Sequence, residues 1–239
     1  MIKCQKKTIP GQQGFTLVEL IIGIAIGSII LGSIYSVYAS QQKIYNKNKQ
    51  VVATQQNLRT CMYLLEQDIK QACLDPLQTA NPKILTANRN AFEFQMDLDG
   101  NGHDFTNIDP NDQDSAKSGD DKNEKVLFYL IPDENDDGIA DAFPSQLIRA
   151  TWGNASAMAD YIQVINFVYR DRNNTVLTPP FDNANIRVVE VTLIARSEKP
   201  DPKYLDNKIY TNLNGDFLIN ANDHYYRRSL SKVIRLRNL

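Results

Sequence analysis

Two stretches of the sequence space oxygen-bearing side chains as a hard cation requires. Asp97-Leu98-Asp99-Gly100-Asn101-Gly102 and Asp133-Glu134-Asn135-Asp136-Asp137-Gly138 both follow the pattern D-x-[DN]-x-[DN]-G. Ligands at alternate positions, followed by a glycine that lets the chain turn back, wrap a loop around one calcium ion. The ligands would be Asp97, Asp99 and Asn101 in the first loop. In the second they would be Asp133, Asn135 and Asp137, with Asp141 adding an acid at the ninth position. Neither loop has a carboxylate at position twelve, where Ile108 and Pro144 stand, so any further ligand must come from elsewhere in the fold or from water. The plainer alternative is a solvated acidic loop, because turn residues alone generate partial matches. If calcium binds, its expected role is structural: an ion would order a loop whose own charges repel each other.

These loops belong to a lopsided charge distribution. The net charge is only −2, yet residues 97–141 carry fourteen of the 28 acids against Lys117, Lys122 and Lys125. Residues 106–124 read as flexible without metal. From 225 onward there are five basic residues (Arg227, Arg228, Lys232, Arg235 and Arg237) and no acid. Their alternation with apolar residues predicts a half-exposed strand. No basic stripe interleaved with aromatics points to nucleic acid. Enzyme signatures are also missing: there is no Gly-x-Ser-x-Gly, no HExxH and no phosphate-binding glycine loop, and His103 and His224 have no evident partner in catalysis.

The other chemically distinctive residue is Glu19, the one charge among the apolar residues 15–38. That run is long enough to cross a bilayer as a helix. A carboxylate within it costs several kcal/mol unless it finds a partner, which marks it as functional. Lys3, Lys6 and Lys7 precede the run, as in a secretory signal, and Val37-Tyr38-Ala39 would pass as a cleavage site. The run is too long for a signal core, however, and a plain anchor gives Glu19 no purpose.

Gly14-Phe15-Thr16-Leu17-Val18-Glu19 resembles the type IV prepilin signature. That resemblance implies a leader over residues 1–14, cleavage after Gly14 by a prepilin peptidase and methylation of the new N-terminal Phe15. It also implies that Glu19 neutralises the Phe15 amine of a neighbouring subunit, two charges that are costly alone but tolerable as a pair. The alternative is that Glu19 serves only recognition by the peptidase. Gly23, Gly27, Ser28 and Gly32 put small residues where helices approach closely in lipid.

Beyond the membrane run, Ile44, Val51, Leu58, Met62, Leu65, Ile69 and Ala72 form one apolar stripe, which predicts a continuous helix over 15–73. Its residues 39–75 form an amphipathic half, stopped by Asp75-Pro76. Strand-like runs follow at 91–96, 125–131, 147–152, 161–170, 186–196 and 228–237. Asn173-Asn174 suggests a tight hairpin between the run ending at 170 and Thr175-Val176-Leu177. The expected fold is α+β: a long helix laid on a mostly antiparallel sheet in a β-rich domain over 76–239, with an acidic insertion at 97–141.

Of three cysteines, Cys4 would leave with the leader. Cys61 and Cys73 on one helix lie roughly 18 Å apart along it, so a disulfide, which needs Cα atoms within about 7 Å, requires the helix to end first. That pairing stays open.

The helix end Leu64-Leu65-Glu66-Gln67-Asp68-Ile69-Lys70-Gln71-Ala72 and the closing residues 233–238 resemble the PilW group of minor pilins, with the GspJ-type pseudopilins of type II secretion as near relatives. The resemblance implies a non-enzymatic subunit, held by a single pass in the bacterial inner membrane before it joins a pilus or the cell surface. It would partner other major and minor pilins and help initiate or cap a type IV pilus. The alternatives are a secretion pseudopilus tip and a calcium-dependent pilus adhesin.

Overall fold

A computed structural model describes residues 14–78, 80–98, 100, 124–152 and 154–239. The chain divides into two units, one ending at Asn48 and one beginning at Lys49. A single helix, α1 (Leu17–Gln71), supplies the described body of the first unit and continues into the second. It is two residues shorter at each end than the sequence predicts. Thr16 caps its start, and at its far end Cys73 turns left-handed (φ 58°) and donates its amide to the Gln95 carbonyl.

From Leu17 to Tyr38 α1 is apolar on every side apart from Glu19. Leu17, Ile21, Ile24, Ile29, Leu31 and Ile34 are each more than half exposed, a surface suited to lipid or to other helices rather than to one sheet. It is the one described helix long and apolar enough to span a bilayer.

The second unit is α+β, and all its strand pairings are antiparallel. Strands β1 (Ile84–Ala87), β2 (Phe92–Gln95), β3 (Lys125–Ile131), β4 (Gln146–Thr151) and β5 (Asn154–Asp160) form one sheet in chain order. A second sheet has β7 (Val188–Arg196) between β10 (Arg227–Arg235) and β6 (Ile162–Arg170). A small hairpin joins β8 (Ile209–Thr211) to β9 (Phe217–Asn220). The expected turn at Asn173-Asn174 forms, with Asn174 left-handed and Val176 bridged to Arg170.

The C-terminal half of α1 lies on both larger sheets. Leu58, Cys61, Met62, Leu65, Ile69 and Ala72 are buried with Phe92, Phe94 and Phe128 from one sheet and Phe167, Val189, Val191 and Ile234 from the other. The stripe drawn from sequence thus joins the core only from Leu58. Ile44 lies in the first unit and is exposed, while the last five members are buried. Strand β7 is buried on both faces, because Ile194 and its neighbour Val164 pack under the β8–β9 hairpin against Tyr210, Leu218 and Ile219. Polar ties fix the helix in register. Asp68 accepts from Arg149 Nε at 2.7 Å, Glu66 is paired with both Lys70 and Lys232, and Asn57 donates to the Asp160 carbonyl.

Cys61 and Cys73 are both free and buried. Burial pushes the Cys61 thiol up to about 12 and that of Cys73 up to about 11, with Arg187 partly opposing the second shift. Neither is poised to react.

Candidate functional site

The N-terminal site is built from the residues just ahead of α1. Gly14 and Phe15 are exposed and outside the helix, with Phe15 at 90% exposure. A Cβ placed on Gly14 would meet nothing within 4 Å. Thr16 and Glu19 then form a capping box. Glu19 Oε2 accepts from the Thr16 backbone N–H at 2.9 Å and from its hydroxyl at 2.8 Å, while the Thr16 hydroxyl accepts from the Glu19 N–H at 3.3 Å. Such a box satisfies the amides that a helix start leaves open, and the carboxylate complements the positive end of the helix dipole.

The Gly14–Phe15 bond is therefore exposed and non-helical, one residue before a capped helix. Glu19, four residues further on, bonds Thr16, which is the neighbour of the amine that cleavage before Phe15 would create. The cap at Thr16 adds to the two roles the sequence leaves open for Glu19, pairing with a neighbouring subunit and recognition by the peptidase, and its signal is the spacing Thr16-x-x-Glu19.

The acidic loop at 133–141 follows β3. Gly138 stands at the sixth position with φ +82°, a conformation that favours glycine, and a Cβ there would collide with the Ile165 carbonyl oxygen. The side chains turn inward onto amides. Asp133 accepts from the N–H groups of Asp137 at 3.1 Å and Gly138 at 2.9 Å, Asn135 from Asp137 at 3.2 Å, and Asp141 from Glu134 at 2.6 Å. Asp137 accepts from Ile139 at 2.7 Å. Burial raises the Asp133 carboxyl above its ordinary range, and the charges of Asp137 and Asp136 push the same way against the two amide bonds. Among the described residues no three acid, histidine or cysteine side chains are grouped to hold a metal. As folded, Asp133, Asn135, Asp137 and Asp141 cap amides of the turn.

Of the other candidate loop, Asp97 is buried and accepts from the Gly100 N–H at 2.7 Å. Its own N–H donates to the Leu74 carbonyl, which places it under the end of α1. Asp99 and Asn101 lie outside the described residues, as does most of 106–124.

Comparison with known proteins bears on both ends of the chain. Residues 9–35 match the prokaryotic N-terminal methylation motif, and residues 145–238 match the family described as type IV pilus-assembly protein W. No curated protein matches the sequence. Among solved structures, a type IV-like pilin from Thermus thermophilus is similar at 9% identity with a TM-score of 0.43, over 77% of this chain and 97% of that one. The methylation motif spans the exposed Gly14–Phe15 bond and the capped start of α1, and the second match takes in β4 to β10. The chain thus begins with the prepilin methylation motif and is similar, over residues 145–238, to the PilW family of type IV pilus-assembly proteins.

Proposed function

We propose that this protein is a minor pilin, cut after Gly14 by a prepilin peptidase and inserted in the bacterial inner membrane through residues 15–38, that helps initiate or cap assembly of a type IV pilus. One observation carries the reading: an exposed, non-helical Gly14–Phe15 bond stands directly ahead of a capped helix that is apolar all round, within a matched methylation motif. Its partners are the peptidase and then other major and minor pilins. Glu19, close to the new amine, offers its carboxylate to that amine or to one on the next subunit. The role is structural rather than catalytic. A pseudopilus tip in type II secretion is the competing version, and deletion separates the two: loss of pili with secretion intact supports the pilus.

Intact-mass analysis of the chain from its native membrane tests processing. The expected product begins at Phe15 with one added methyl group. A chain beginning at Ser40, or uncut at Met1, overturns the reading.

A structural calcium ion in the 133–141 loop is a further part of this proposal. Its support is the left-handed Gly138 at the required position and the mutual repulsion of Asp133, Asp136 and Asp137. Binding would require these carboxylates to leave the amides they now cap, so ion and capped turn are competing states of one loop. A calcium-dependent adhesin displayed on the pilus would use that ion to hold a binding surface.

A further inference from the structure

The pleat of the five-stranded sheet assembles a hollow on the face turned away from the core. Glu93 is opposite Leu127 and Leu127 opposite Ala150, so the three form one row across β2, β3 and β4. Side chains alternate along a strand, which puts Lys125 and Trp152, two residues further along, on that same face. With Thr151 these residues line a hollow of about 280 Å³. Leu127 and Ala150 make its floor, and the small Ala150 side chain is what leaves the space open. Trp152, the only tryptophan in the chain, is 50% exposed at its side.

The polar wall is fixed. Lys125 Nζ lies 3.0 Å from Glu93 Oε1 and 5.9 Å from the centre of the Trp152 ring, while Glu93 Oε2 accepts from the Thr86 hydroxyl at 2.8 Å. The two charges cancel, so the complementary ligand is uncharged, and an ionic one would have to split the pair. The wall offers ammonium donors and carboxylate acceptors beside a half-exposed aromatic ring. A pyranose sugar has the matching form. One side of its ring is a sheet of C–H groups that suits the negative face of an indole, and its hydroxyls both donate and accept.

We propose that this hollow binds a neutral pyranose unit stacked on Trp152, with its hydroxyls on Glu93 and Lys125. One sugar ring in a solvent-facing hollow is expected to bind with a Kd of about a millimolar, because so few atoms are contacted. Surface recognition would then come from repeated weak contacts along a glycan or across several subunits.

The lone tryptophan reports on the site directly. The full chain, kept in a detergent without a sugar head group, is titrated with methyl β-glucoside, methyl β-galactoside and N-acetylglucosamine while Trp152 emission is followed. Sorbitol, a polyol without a ring, is the control. The expected result is a saturable change with at least one of the three and none with sorbitol. Ala150→Leu, which fills the hollow but leaves Trp152 in place, should weaken binding at least tenfold. If that variant misfolds, Lys125→Ala supplies the same comparison by removing a donor at an exposed position. Silence with all three sugars, an equal response to sorbitol, or full affinity in the folded variant would overturn the proposal. The first of these is also what a hollow made for a protein segment would give.

Discussion

The two halves of α1 are one helix with two kinds of surface. Up to Asn48 its apolar residues point in every direction and remain exposed; from Leu58 onward a single stripe is buried and the rest is mostly polar, with Tyr63 and Leu64 exposed. Helix formation is the same in both, so the difference lies in what each half requires outside itself. An all-round apolar surface needs lipid or many helices, whereas a stripe needs one partner, which the chain's own sheets provide. Among the described residues, the apolar side chains of the first half stay exposed.

The largest effect that tests this contrast is on stability. Leu65 is fully buried between the sheets, and Leu65→Ala should lower the unfolding free energy of the second unit by about 2–5 kcal/mol. Ile29→Ala, at 70% exposure in the first half, should leave it within about 0.5 kcal/mol. Denaturant unfolding in detergent measures both. Equal losses would mean that the two halves are not energetically separate.

A smaller effect concerns the polar ties that orient the packed half. The Lys232 and Lys70 ammonium groups hold the Glu66 carboxyl below its ordinary value. A depressed acid adds stability that is present above its unfolded value, near 4.5, and is lost as pH falls through the lower folded value. Acid melts from pH 6 downward should therefore show a drop beginning below about 4.5 that Glu66→Gln makes shallower. A variant whose melts follow the parent at every pH would remove Glu66 from the account of how the helix is seated.

Calcium probes a region apart from both halves, with a modest effect. Asp133 is held above its ordinary value, so the opposite sign applies: its ionisation on raising pH costs the folded loop stability. A bound ion would reverse that cost. If the loop binds calcium, the melting temperature of the full chain at neutral pH should rise with millimolar calcium, and Asp133→Asn should abolish the rise. A melting temperature that ignores calcium leaves the capped turn as the only state of this loop.

How far the sequence reveals this structure depends on where the information lies. Lys125–Ile131 is legible because its side-chain period of two matches its burial, and Val188–Arg196, buried on both faces, because of its β-branched residues. Asn154–Asp160 escapes, since Asn-Ala-Ser-Ala-Met-Ala-Asp has little strand propensity and becomes a strand through pairing with β4. Ile84–Ala87, Ile209–Thr211 and Phe217–Asn220 are too short to show a period. At the processing site, Gly14, Phe15 and Glu19 stand out by residue type, but the role of Thr16 needed the geometry of the helix start. The Trp152 hollow was invisible because it is a cross-strand row, drawn from residues 93, 127 and 150, which no local pattern joins.

The smallest effect is the one that most sharpens the contrast between the halves. A Cβ added at Gly27 meets nothing within 4 Å in the single chain, so Gly27→Ala should do no harm there. Alanine improves a helix interior by about 1 kcal/mol over glycine, and the helicity of the first half in detergent should rise slightly. In a filament the same methyl group would stand where small residues let helices approach closely, so assembly should suffer although the free subunit is more helical. Circular dichroism of the free chain and pilus counts from cells carrying the variant give the two readings. Opposite signs mean that the apolar half is shaped for other helices. A gain in helicity with normal piliation means that lipid is the only partner it needs.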